Sequence, residues 1–163
     1  MERPKFKTNH HSNPSYRPPR NTIIPAAYLI PQQDNKILLS GRQNTGYHDG
    51  EFSLIAGHVE SGESIRQAIV RESIEEAGII LDPTKLVLAH VLSRTSEDGE
   101  ERADFFFTAS EWDGALTNRE PKKCSGLEWH NPNNLPQNTI DYIRAVIGLI
   151  NKGIPYSEMG WKE

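Results

Sequence analysis

Three glutamates, Glu72, Glu75 and Glu76, stand at offsets of zero, three and four in the stretch RESIEEAG. At about 100° per residue, a helix carries all three on one side. Ile65, Ala68 and Ile69 project to that same side, so an apolar stripe ends in three acids with no Lys or Arg on the face. Like charges at this spacing repel, and partial burial adds to the cost. A divalent cation relieves both, and carboxylate oxygens suit magnesium, manganese or calcium. The same spacing also fits a solvated, glutamate-rich helix end, and both readings stand at this point.

The neighbouring residues define the element that carries these acids. Ser64 is an N-cap with Gln67 three residues later, a capping box, and Gly78 supplies a C-terminal stop. The helix therefore runs from about Ile65 to Ala77. Val70, Ile74 and Ala77 form a second apolar patch, which predicts a helix wedged into the fold with two covered sides. Upstream, TIIPAAYLI and KILLSGR read as two strands of a hairpin around PQQDN, with Pro25 placing the first at an edge or a bulge. QNTGYHDG is a loop, and EFSLIAG a third strand that delivers the chain to Gly57. Downstream, LVLAHVLSRT and RADFFFTA form a hairpin across Asp98-Gly99, and a last strand lies around Leu127 to His130. Ile140, Ile143, Ile147 and Ile150 stripe a terminal helix that covers one sheet face, and Tyr156 and Trp161 in the tail pack back onto the fold.

Composition narrows the function classes. The chain has 163 residues, 36% hydrophobic and 25% charged, with a net charge of −4. That describes one ordinary globular domain and gives no general reason to expect nucleic-acid or membrane binding. Cys124 is the only cysteine, which removes disulfides and cysteine zinc sites and leaves a partly buried thiol. No apolar run approaches a membrane span and the start lacks a secretory core, so the expected compartment is the cytoplasm. Residues 1–20 stand apart, with five Lys or Arg against one Glu and four prolines. They read as an extended or disordered arm ahead of a domain over residues 21–163, and His10 and His11 receive no role.

Residues 57–79 resemble the signature of the Nudix hydrolases. Gly57, Glu63, Arg71, Glu72, Glu75, Glu76, Gly78 and Ile79 all match it, eight specified positions over 23 residues. Ser73 departs from the usual aliphatic residue, and Ile55 and Ala56 from the usual Pro- and Gly-rich lead-in. The order of elements is also similar to the family's α/β/α sandwich, a mixed, largely antiparallel sheet between helices. The resemblance implies a metal-dependent hydrolase that cleaves a pyrophosphate bond in a nucleoside diphosphate linked to another group. Triphosphate-type substrates are slightly favoured, and damaged nucleotides, nucleotide sugars, ADP-ribose and dinucleoside polyphosphates stay open.

By the same resemblance, Glu72 and Glu76 are the main ligands of Mg2+ or Mn2+, with Glu75 a further ligand or the group orienting water. The Gly57 carbonyl is another ligand, and Glu63 and Arg71 brace the loop and the carboxylates. A later carboxylate serves as ligand or base: Glu120 first, then Glu128, then the acids from Glu97 to Glu101. Arg42 is the phosphate-binding candidate, ahead of Arg94, Arg102 and Lys123, while Tyr47 and His48 could stack on a base. Trp112 and Trp129 read as core or rim. Small nucleotides are the expected partners, and homodimers are common in the family. A non-catalytic ligand-sensing Nudix domain is the alternative, although such domains generally lose signature carboxylates. An isomerase on the same fold comes third.

Overall fold

A computed structural model describes residues 21–162. The arm expected over residues 1–20 lies outside the described residues. The elements run β1 (Ile24–Gln33), β2 (Lys36–Arg42), β3 (Phe52–Ser53), β4 (Ile55–His58), α1 (Ile65–Ala77), β5 (Val87–Thr95), β6 (Glu101–Ala109), β7 (Cys124–His130), α2 (Asp141–Asn151) and β8 (Tyr156–Met159).

Alternation along β1 explains the layering. Ala26, Tyr28 and Ile30 point into one buried cluster with Phe106, Ile143 and Val146, beneath α2. Ala27 and Leu29 point into the other, with Ala68, Ile69 and Phe107, beneath α1. A strand buried on both faces must be apolar at successive positions, as AAYLI is. The result is the expected α/β/α sandwich. The sheet runs β3-β2-β1-β6-β5-β8, with β4 also on β1 and β7 also on β2. Among the described strands, β1–β6 and β5–β8 pair in parallel and the other pairs are antiparallel, so the sheet is mixed and largely antiparallel.

Several expectations change. β1 is a central strand, not an edge. The Pro25 carbonyl accepts from Val59 N just past the end of β4, so the missing N–H falls where that ladder stops. The third strand is split into β3 and β4, which join different partners, β2 and β1. The sheet therefore forks around β1, and the fork matters for the site. The tail forms a short parallel strand, β8, on β5. Helix α1 begins and ends as read: Ser64 and Gln67 close the capping box and Gly78 takes φ 69°. Its second apolar patch is covered only in part: Ala77 is buried and Val70 packs on the core, whereas Ile74 is 36% exposed. The departure at Ser73 is accommodated, since its buried hydroxyl donates to Val70 O and also lies 3.1 Å from Ile79 O. Among the described residues, no helix is long and apolar enough to cross a membrane.

Candidate active site

Helix α1 packs across β4, which brings Glu72 and Glu76 against the strand that ends at Gly57 and His58. A Cβ at Gly57 would fall on the Glu72 carboxylate, so any side chain there would displace that acid from the strand. Glu76 accepts a hydrogen bond from Ala56 N, yet burial, together with the charges of Glu72 and Glu120, pushes its carboxyl up to about 8. Burial also raises Glu72, against the pull of Arg71. Glu75 is more open, with its side chain 54% exposed.

Arg71 ties the preceding loop to the helix. Its Nη2 donates to Glu63 Oε1 at 2.8 Å and to His58 O at 3.1 Å. Its Nη1 donates to Glu72 Oε1 at 2.6 Å and reaches Glu75 at 3.4 Å. Glu63 also accepts from Glu60 N, and these bonds, led by Arg71, hold its carboxyl below the usual range. One guanidinium thus fixes both ends of the loop and orients Glu72.

Glu120 arrives from a distant loop that is fastened to the end of α1. Thr117 N donates to Ala77 O and Arg119 N to Glu76 O, satisfying carbonyls that the helix leaves unpaired. Glu120 then lines a cavity of about 390 Å³ together with Glu76, Arg42, Ala56, Lys123 and Ser40. Both prongs of the sheet's fork contribute walls, β2 and β3 on one side and β4 on the other. Lys123 Nζ donates to Glu120 at 2.9 Å. Cys124, also on this wall, is buried, so the thiol is better covered than expected; it lies 3.3 Å from both Ser40 Oγ and Gly126 O.

A second cleft, about 820 Å³, adjoins the first through Arg42, Ser53 and Ala56 and reaches Gly57. Arg42 and Tyr47 line it, with the guanidinium 5.5 Å from the Tyr47 ring centre. His48 pairs with Glu51 at 2.6 Å and faces a side pocket instead. Glu97, Asp98 and Glu100 also line the cleft, whereas Glu128 is turned to His130 and borders neither cavity. Trp112 and Trp129 stack on each other beside the α1-side core. Arg94, ranked low from sequence, is buried here on Asp104 and Tyr142. Asp104, Tyr28 and Tyr142 were missed, although Asp104 shares the inward face of β6 with Phe106, a signal readable from alternation.

Carboxylate oxygens crowded around a buried acid suit a hard divalent cation, which would supply the positive charge that Glu76 lacks. Among the described residues, no three acids, histidines or cysteines close around one point, and Glu72 is paired with Arg71. An oxygen donor set with one arginine-held member fits such an ion, once the two positive charges share that carboxylate.

Comparison with known proteins agrees with this geometry. The chain matches the NUDIX domain over residues 22–147. It is 30% identical over 114 residues to the NAD-capped RNA hydrolases NudC of Shigella dysenteriae and Escherichia coli, covering 70% of this chain and 41% of theirs. It thus spans about two fifths of the length of these relatives. A MutT NUDIX hydrolase from Burkholderia pseudomallei superposes with a TM-score of 0.71 at 25% identity, over 78% of this chain and 98% of that one. The Escherichia coli ORF135 protein superposes with a TM-score of 0.69 at 25% identity, over 81% and 91%. A fold forked around β1, a signature helix packed on its glycine strand and a match over residues 22–147 lead to one statement: the chain belongs to the Nudix family.

Proposed function

We propose that the protein is a Nudix pyrophosphohydrolase that cleaves the diphosphate link of a small nucleotide, with nucleoside triphosphate-type compounds as the favoured class. The observation carrying this reading is the meeting of Glu76 and Glu120 in a cavity that adjoins an arginine-lined cleft at Arg42. Glu72, Glu76 and the Gly57 carbonyl would hold Mg2+ or Mn2+, with Glu75 and Glu120 as accessory oxygens. The ion, when bound, neutralises phosphate oxygens and lowers the pKa of water. Arg42 orients the phosphates through charge-assisted hydrogen bonds. Glu120 takes the proton of the attacking water, and Lys123 pairs with it at 2.9 Å. Arg71 and Glu63 position Glu72 and the loop.

The test is a hydrolysis panel of nucleoside triphosphates, nucleotide sugars, ADP-ribose, NAD and dinucleoside polyphosphates with Mg2+ and Mn2+ compared. NAD belongs in the panel because the NudC relatives act on NAD-capped RNA. The expected products are a nucleoside monophosphate and the remaining phosphate moiety. Glu76→Gln is expected to lose on the order of a hundredfold or more in turnover, since outer partners of metal ligands alone are worth about 10–100-fold. Unchanged turnover in that variant removes Glu76 from the site. Tight nucleotide binding without turnover under every metal favours the ligand-sensing reading, which the intact carboxylate set opposes.

A further inference from the structure

The larger cleft is floored by a buried guanidinium. The Arg94 side chain is 8% exposed, and its Nε donates to Asp104 Oδ2 at 2.5 Å. Its Cζ lies 4.2 Å from the Tyr142 ring centre, and Tyr142 in turn touches Tyr28 through their hydroxyls at 3.3 Å. Nη1 and Nη2 of Arg94 donate to no described residue, and Arg94 lines the cleft. Donors buried this deeply call for an acceptor, and the cleft that Arg94 lines is where a ligand can supply one.

Charge decides what kind of acceptor. Asp104 is fully buried and already balances Arg94, while Arg102 lies 3.6 Å from Asp104 and 3.4 Å from Glu100. Glu97, Asp98 and Glu100 line the same cleft, so Arg94 and Arg102 are offset by these three carboxylates and by the buried Asp104. Arg94 therefore has no spare charge to offer a phosphate, and its surroundings favour a neutral group. Tyr28, Tyr142 and Ala26 give the cleft a largely apolar lining, with Tyr28 stacked on Phe106 and Tyr142 against Arg94, and such a lining suits a planar ring. A guanidinium fork matches two adjacent in-plane acceptors, and the O6/N7 edge of a 6-oxopurine presents that pair. Adenine sets an amino donor beside N7, which would confront the fork with another donor, and a pyrimidine lacks the paired acceptors.

We infer that Arg94, braced by Asp104 and Tyr142, determines base specificity in this cleft and selects guanine and hypoxanthine nucleotides over adenine and pyrimidine ones. The inference rests on the pyrophosphohydrolase reading for its substrate but not for its binding geometry.

Ligand analogues test it with the unaltered protein. GTP and ITP are expected to share kcat/KM within a few-fold, with ATP, CTP and 7-deaza-GTP about ten- to a hundredfold lower. Calorimetry with GMP, IMP and AMP in EDTA reads the base end alone, and GMP and IMP are expected to bind at least about tenfold tighter than AMP. Arg94→Lys keeps a charge beside Asp104 but loses the fork, and should bring the guanine-to-adenine ratio to within about threefold. Equal kcat/KM for GTP and ATP, or equal or undetectable binding of GMP and AMP, overturns the inference. If GMP outbinds AMP while no nucleotide is cleaved, the hydrolase reading fails and the base assignment stands. If all bases are cleaved alike, the reverse holds.

Discussion

Glu76 carries the largest electrostatic strain in the site, its carboxyl pushed up to about 8 by burial and by Glu72 and Glu120. An acid raised in the fold is protonated more readily there than in the unfolded chain. Its contribution to stability is therefore full below the ordinary carboxylate range and is lost as pH rises through about 8. In EDTA, the melting temperature should fall from roughly pH 5 to pH 8, the window between the ordinary and raised values. Glu76→Gln cannot ionise and should remove that part of the slope. Mg2+ binds the ionised form, so its stabilisation should grow across the same window. A melting temperature whose pH slope is the same in wild type and Glu76→Gln contradicts the assignment. Glu72, Glu75 and Glu76 were legible because helical spacing is a local property of the sequence. Glu120 was only a narrow choice, since its approach depends on Thr117 and Arg119 bonding to the end of α1 from some forty residues away. Arg94 looked like one arginine among several, and only the packing of β5, β6 and α2 makes it a buried fork.

At the scale of elements, the same division between local and distant causes holds for β8. Its docking leaves His90 with both ring nitrogens engaged, Nδ1 on Ile154 O and Nε2 on Ser157 Oγ, each at 2.8 Å. Met159 packs on the α2-side core, and Trp161 Nε1 donates to Ser93 O. Removing residues 155–163 should lower unfolding free energy by about 2–5 kcal/mol. An orphaned buried polar group costs about 1–3 and uncovered Met159 about 1–2. Urea unfolding followed by tryptophan fluorescence measures the difference, and a loss under about 1 kcal/mol would make β8 a mere passenger on β5. The tail gave little warning of a strand, because YSEM is short and polar and is ordered by the open backbone of β5. Helix α1 was the opposite case, its capping box and terminal glycine specifying both ends from within the segment. Pro25 misled because its meaning depends on where β4 stops, a fact of pairing that local propensity does not contain.

Across the whole molecule, the forked sheet brings the two helical layers to one opening. α1 supplies the carboxylates from one face, and α2 supplies Tyr142 from the other. Arg42, at the end of β2, is the charged residue common to both cavities, so it stands where a diphosphate would pass from the acidic end to the base end. Its Nε donates to Tyr47 O at 2.8 Å and its Nη2 to Thr45 Oγ1 at 3.0 Å, which leaves Nη1 without a described partner. The loop that holds it is closed by Asp49, whose carboxylate accepts from Thr45 and Gly46 and is kept below its usual range by those bonds. Arg42→Ala should therefore raise KM for a nucleotide about ten- to a hundredfold, as loss of a charge-assisted hydrogen bond implies, with a smaller effect on kcat. Asp49→Ala should shift the same parameter less, because the arginine stays but its loop loosens. Mg2+ affinity measured without nucleotide should stay within about twofold in both variants, since neither residue offers a ligand to the ion. A change confined to kcat, or a loss of Mg2+ binding, would move Arg42 from the phosphate path to the carboxylate cluster and make the two cavities a single metal site.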